Sequence, residues 1–228
     1  MMIEKSGTIR LRDIPTTTRL TQEEQELAAG MVRVPHLYRS ALKVAVTQME
    51  LLDEEFARMY DHSPIHHIEY RIKSLDSIAD KLKRRGFEVS IDNIYAHIQD
   101  LAGIRVICNY LDDIYYLRSL LTRFESFEVI REVDYIKNPK PSGYRSLHLV
   151  VNVPIVISEG TMVLPVEIQL RTIAMDMWAS LEHELRYKSE RQFTDDDAAR
   201  LRLCSDAISE IDQEMQDIYQ GKEPRYHA

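Results

Sequence analysis

Cysteine is almost absent from this chain of 228 residues: there are two, Cys108 and Cys204, far apart and set among apolar neighbours. Such spacing excludes a disulfide framework and a paired-cysteine metal motif, and it predicts two structurally buried free thiols. No apolar run approaches the roughly 20 residues needed to cross a bilayer. The start, Met1-Met2-Ile3-Glu4-Lys5, lacks the charged-then-apolar layout of a secretory signal, so the expected location is the cytoplasm. A surplus of positive charge is missing too. The formal charge of −8 and the pI near 5.5 argue against coating of nucleic acid or anionic membrane by bulk electrostatics, so any cationic work must be local. There is no Gly-rich Walker loop, which leaves phosphates to be held by side chains. Repeats, low-complexity tracts and obvious linkers are lacking. His62, His66 and His67 near Glu69, and His183 between Glu182 and Glu184, fit no zinc-ligand spacing.

What is present suffices for one core, since 44% of the residues are hydrophobic. Residues 1–33 have no sustained period and are expected to form a flexible arm, 34–220 a single domain, and 221–228 a tail. From Pro35, Leu42, Ala45, Met49, Leu52, Phe56 and Met59 recur three and four residues apart and predict a helix ending at Asp61-His62-Ser63-Pro64. Helices are expected over Leu75–Arg85, Ile91–Ile98 and Asp112–Phe124, and strands over Ile104–Cys108, Phe127–Val133, Arg145–Val153 and Met162–Leu170. Helix resumes at Thr172, with Ile173, Met177, Trp178, Leu181 and Leu185 as a core stripe. A last helix at 195–219 carries Leu201, Cys204, Ile208, Ile211, Met215 and Ile218 on one face that must be buried, within the chain or against another subunit. The order predicts an α+β fold, a mixed β-sheet flanked by helices with helical extensions at both ends, and an oligomer.

Four clusters carry the chemistry. Between Asp134 and His148, two prolines bracket Lys140, Gly143 permits a turn, and Tyr144 sets a flat ring beside Lys137, Lys140 and His148, a composition suited to clamping a purine nucleotide. Between positions 71 and 85, six cations stand against two aspartates, and Lys73, Ser77, Lys81 and Arg84 would share one helical face along a polyphosphate. Asp100-Leu101-Ala102-Gly103-Ile104-Arg105 puts a carboxylate just before a buried strand and a guanidinium upon it. Val166 to Thr172 alternates, so Glu167, Gln169 and Arg171 leave one strand face while Val166, Ile168 and Leu170 leave the other. Two acidic groups on different strands, opposed to an excess of cations, suit Mg²⁺ shared between carboxylates and substrate phosphates.

In this order the clusters resemble the synthetase domain of the RelA/SpoT family, particularly its stand-alone small alarmone synthetases. The likeness covers roughly Asp61 to Lys188 and includes Arg71-Ile72-Lys73-Ser74, Gly143-Tyr144-Arg145-Ser146-Leu147-His148, Glu167-Ile168-Gln169-Leu170-Arg171-Thr172, and Trp178-Ala179 with Glu182-His183. The resemblance implies a nucleotidyltransferase-like sheet, transfer of pyrophosphate from ATP to the 3′-hydroxyl of GDP or GTP to give ppGpp or pppGpp and AMP, and a homotetramer. It sets Arg71 and Arg105 around adenine and Lys73, Ser77, Lys81 and Arg84 on the ATP phosphates, with Gln169 framing the site. Asp100 and Glu167 are then the Mg²⁺ ligands and catalytic pair, with Glu167 also orienting or deprotonating the hydroxyl. Tyr144 stacks on guanine, and Lys137, Lys140 and His148 meet the acceptor phosphates. Asp61-His62 reverses the family's hydrolase pair, so synthesis alone is expected. Two other readings stay open: a toxin-like pyrophosphokinase acting on an adenosine nucleotide or a tRNA end, and an inactive nucleotide- or RNA-binding regulator. RNA binding draws no support from the sequence, and the paired carboxylates speak against the second reading.

Overall fold

A computed structural model describes residues 21–187 and 192–222, so most of the expected arm (1–20) and most of the tail (223–228) lie outside the described residues. The first helix, α1, spans Gln22–Met59 and carries Pro35 in its interior. The sequence signal for a boundary at that proline was misleading. A proline inside a helix costs roughly 3 kcal/mol, but Val34, Leu37 and Tyr38 around it are buried to 3% exposure or less, and apolar burial of about 1.5–3 kcal/mol per side chain outweighs the loss. The stripe from Leu42 to Phe56 is buried as expected, whereas Met59 is exposed at the frayed end.

The sheet runs β1-β2-β5-β4-β3, formed by Ile65–Ile72, Ala102–Cys108, Gly160–Thr172, Leu147–Ile157 and Glu128–Asp134 respectively. Only β2 and β5 are parallel; the other neighbours are antiparallel. Strand β1 was not expected. It is an edge strand with a bulge between Ile65 and His67, and its side chains are mostly exposed on both faces, so it lacks the alternation that marks a half-buried strand. Between β1 and β2 come α2 (Leu75–Arg84), capped by the Ser74 hydroxyl and ended by Gly86 at φ +78°, and α3 (Ile91–His97); α4 (Leu111–Leu121) follows β2. Ile104, Val106, Leu149, Val151, Val166, Ile168 and Leu170 form the core with α1, which leaves the alternate residues of β2, β4 and β5 on the opposite face.

Helices α5 (Ile173–Tyr187) and α6 (Asp195–Tyr219) correct two expectations. On α5 Met175, Trp178 and Ala179 are buried, while Ile173, Met177, Leu181 and Leu185 are exposed. On α6 the apolar stripe also faces outward: Ile211, Met215 and Ile218 are exposed, as is Cys204. Its inward face is polar, because what it meets is loop backbone and helix ends that need hydrogen bonds. Ser205 donates to the Gly143 carbonyl at 2.5 Å, the Trp178 indole donates to the Leu201 carbonyl at 2.9 Å, and Asp212 accepts from Thr172 Oγ1 at 2.6 Å.

Burial pushes the Asp212 carboxyl up to about 6 from its ordinary 3.8, against the opposing pull of the Thr172 hydroxyl and Arg145. A raised folded-state value means that the folded chain holds a proton the unfolded chain releases. Stability therefore falls as pH rises from about 4 through 6, and above that the buried charge costs about 3 kcal/mol. Asp212→Asn, which can still accept from Thr172, is expected to raise the melting temperature at pH 8 and not at pH 4. An equal shift at both pH values would refute the assignment.

Candidate active site

The polar face of the sheet is built by register. Opposite one another across β1, β2, β5 and β4 stand Glu69, Arg105, Gln169 and His148; the adjacent row is Arg71, Gly103, Glu167 and Val150. Gly103 leaves a gap between Arg71 and Glu167. A Cβ there would meet nothing closer than the Glu167 carbonyl at 4.0 Å, so the space above it is open. Glycine within a β-branched run is the sequence signal for such close approach, and it was not read as a site position.

Asp100 lies in the loop just before β2. Its Oδ2 accepts from Lys73 and, at 2.6 Å, from Lys81, while its Oδ1 is buried without a partner. Burial raises the Asp100 carboxyl, but the hydrogen bonds and charge of the two lysines outweigh it and hold the group below its ordinary value. Lys81 is lowered by burial, against the pull of Asp100. Lys73 follows β1 and Lys81 lies on α2, so the two cations expected on one helical face converge from two elements. Ser77 stays in the first turn of α2, 2.9 Å from the Ser74 hydroxyl. Arg84 is not brought to this centre: its side chain donates back to the Asp80 carbonyl at 3.4 Å and is exposed. Arg71 is exposed at the end of β1, on the same face as Arg105.

Glu167 lies at the hub of a closed ring of hydrogen bonds. Its Oε1 is 3.2 Å from His148 Nδ1; His148 Nε2 is 2.8 Å from the Tyr144 hydroxyl, which accepts from Arg171; Arg171 donates to Gln169 Oε1 at 2.8 Å; and Gln169 Nε2 donates back to Glu167 Oε2 at 2.7 Å. Burial raises the Glu167 carboxyl and repulsion from Asp100 adds to this, but His148 and Gln169 prevail and keep it below the ordinary value. Both carboxylates are thus ionised at neutral pH.

The loop from Tyr135 to Ser146 forms the other wall. Lys140 N–H donates to the Tyr144 carbonyl, Gly143 N–H donates back to the Lys140 carbonyl at 2.8 Å, and Gly143 takes φ +96°. A side chain at Gly143 would also strike Ser205 at 2.8 Å, so both conformation and space call for glycine. Lys140 Nζ sits 4.7 Å from the centroids of both Tyr135 and Tyr144. Burial lowers this amine, with Glu167 pulling the other way. Lys137 lies farther out, paired with Asp134 at 3.6 Å and placed over the Tyr115 ring. His62, one half of the reversed pair, is fastened instead to buried Asp113 at 2.8 Å, beside Tyr219.

Two lysines on one ionised carboxylate, a second ionised carboxylate braced by His148 and Gln169, an open glycine gap and an aromatic loop carrying Lys140 fit a nucleotide-binding phosphoryl-transfer site without a Walker loop. The comparisons agree with this class. Residues 70–192 match the family model described as the region found in RelA / SpoT proteins. Among curated proteins, GTP pyrophosphokinase YwaC of Bacillus subtilis is 38% identical over 183 residues, covering 78% of this chain and 85% of that one. GTP pyrophosphokinase YjbM of the same organism is 36% identical over 181 residues, covering 79% and 84%. The crystal structure of small alarmone synthetase 1 from B. subtilis bound to its product pppGpp superposes with a TM-score of 0.76 at 35% identity, covering 82% of this chain and 95% of that one. The same enzyme bound to AMPCPP gives 0.68 at 32% identity, covering 81% and 92%. The chain belongs to the RelA/SpoT family, with the small alarmone synthetase fold.

Proposed function

We propose that this chain transfers the β,γ-pyrophosphate of ATP to the 3′-hydroxyl of GDP or GTP, giving ppGpp or pppGpp and AMP. The observation that carries the reading is a pair of ionised carboxylates held by different partners, Asp100 by Lys73 and Lys81 and Glu167 by His148 and Gln169 behind the Tyr144 loop. In-line phosphoryl transfer asks the protein mainly for alignment and charge neutralisation. Arg71 and Arg105 take the adenine, while Lys73, Lys81 and Ser77 take the donor phosphates. Arg84 joins only if its exposed side chain turns. Tyr144 stacks on guanine, and Lys137 and Lys140 meet the acceptor phosphates; both ring nitrogens of His148 are taken by Glu167 and Tyr144, so it braces those two groups instead of meeting a phosphate. Glu167 orients the attacking hydroxyl and accepts its proton, held in place by His148 and Gln169.

Mg²⁺ suits this donor set. The unpartnered Asp100 Oδ1 and the Glu167 carboxylate offer hard oxygens, a set that substrate phosphates would complete. When bound, the ion would neutralise charge on the transferred group. Its loss by chelation, or the change Asp100→Asn, is expected to abolish synthesis while the melting temperature stays within a few degrees of wild type. An Asp100→Asn enzyme making product at a tenth of the normal rate or faster would oppose the pairing.

A homotetramer accounts for the apolar stripes exposed on α5 and α6. A cytoplasmic location fits the absence, among the described residues, of any helix long and apolar enough to span a membrane. The deciding experiment incubates the protein with ATP, Mg²⁺ and GDP or GTP and separates products by anion-exchange chromatography. AMP appearing in equal amount with a guanosine tetra- or pentaphosphate is expected. Pyrophosphorylated adenosine nucleotides, or no product with either guanosine acceptor, would turn the reading toward another acceptor.

A further inference from the structure

Two groups at this site stand outside the assignments above, Arg171 and Asp176. Arg171 is 4% exposed, deeply buried for an arginine, and three of its contacts point at other members of the site. Its guanidinium carbon lies 5.0 Å from the Tyr144 ring centroid, one terminal nitrogen donates to the Tyr144 hydroxyl and to Gln169, and the other donates to Asp176 Oδ1 at 3.0 Å. Asp176 stands in the first turn of α5, a helix whose start is fixed by Thr172 Oγ1 accepting from Met175 N–H at 3.1 Å. The same oxygen, Asp176 Oδ1, also lies 3.2 Å from Arg105 on β2. One carboxylate atom therefore serves two guanidinium groups: Arg105, which clamps the donor base, and Arg171, which underlies the ring that stacks the acceptor base.

We infer that Arg171 and Asp176 are positioning residues that tie the two nucleotide subsites together, so that occupancy of the donor side sets the Tyr144 ring for the acceptor. The inference rests on the substrate reading above and adds residues to it. The physical reason is that one oxygen contacts both guanidinium groups, so a displacement of Oδ1 alters both contacts together. Arg171 has no slack, since burial and its bonds to Tyr144 and Gln169 fix its plane. Fixing Arg105 on the donor base then fixes Asp176, Arg171 and Tyr144 in turn, and the acceptor meets a ring already ordered. Coupling of this kind is reciprocal: each nucleotide must improve the other's affinity by the same factor. Arg105 keeps a second partner, Glu69 at 2.9 Å on the solvent side, which provides an internal control because that contact leads away from Tyr144.

The test is calorimetric titration of GDP into the full chain with Mg²⁺, alone and with saturating α,β-methylene ATP, for wild type, Asp176→Ala, Arg171→Lys and Glu69→Gln. Wild type is expected to bind GDP at least about fivefold more tightly with the analogue present. In Asp176→Ala and Arg171→Lys that ratio is expected to fall to near one, with each nucleotide still binding alone, while Glu69→Gln keeps it. Arg171→Lys guards against misfolding of the aspartate variant, because it retains the buried charge and loses only the fork. A merely structural role would lower stability and both separate affinities with the ratio intact, and that result would overturn the inference. So would a wild-type enzyme that makes product yet shows a ratio of one, a failure of the coupling alone. If GDP binds wild type under neither condition and no guanosine product forms, the substrate reading fails and the coupling with it.

Discussion

Glu167→Gln should fold normally and lose synthesis by roughly 10²–10⁴-fold, the range associated with removal of a placed acid or base. The substitution changes little in shape. The amide can still accept from Gln169 and stay near His148, which in the wild type are 2.7 and 3.2 Å from the two carboxylate oxygens. What it removes is a negative charge held in a largely buried place, where His148 and Gln169 keep the carboxyl ionised against burial and the repulsion of Asp100. Three functions draw on that charge: orienting the hydroxyl, taking its proton, and sharing a divalent ion with Asp100. The other carboxylate placed at this site, Asp176, is committed to Arg171 and Arg105. Initial rates of AMP formation, read beside melting curves, provide the check. A variant with unchanged melting and more than a tenth of the wild-type rate would remove Glu167 from the chemistry.

Tyr144 should separate into two effects. The ring offers a stacking surface, and base–aromatic stacking is worth about 1–3 kcal/mol, so Tyr144→Ala is expected to raise the KM for GDP roughly 10- to 100-fold with a much smaller effect on the KM for ATP. Tyr144→Phe keeps the ring but deletes the hydroxyl that meets His148 at 2.8 Å and accepts from Arg171. That opens the hydrogen-bonded ring around Glu167 at one point. A rise of a few fold in the GDP KM, with a comparable fall in kcat, is the expected result. Equal loss for both nucleotides in Tyr144→Ala would show that the residue supports the loop as a whole and does not contact guanine.

The two substitutions probe parts of the site that differ in how readily the sequence reveals them. The alternation of Val166 to Arg171 announced a core face and a polar face, and Glu167, Gln169 and Arg171 do bond to one another along that strand face. The turn chemistry of Gly143 was equally local and equally visible. Strand β1 was not, because an edge strand exposed on both faces carries no two-residue period. The role of Asp176 was also hidden: its partner Arg105 lies 71 positions earlier, brought near only by the parallel pairing of β2 with β5. Arg84 shows the converse, a cation at the correct helical spacing whose side chain turns away.

The helices at the end of the chain mark the division most clearly. Periodicity identified α5 and α6 and even their apolar stripes, but a stripe states only that something will cover it. Here the chain turns the polar side of α6 inward, to Gly143, Thr172 and Asp112, because backbone and helix ends there need hydrogen-bond partners. The sequence by itself determined the elements, the kinds of chemistry present and the residues able to perform it, since these follow from short-range sterics and from side-chain type. Tertiary structure alone decided which lysines meet Asp100, which oxygen joins Arg105 to Arg171, and which helix faces remain open. Those contacts join residues far apart along the chain, and no local period encodes them.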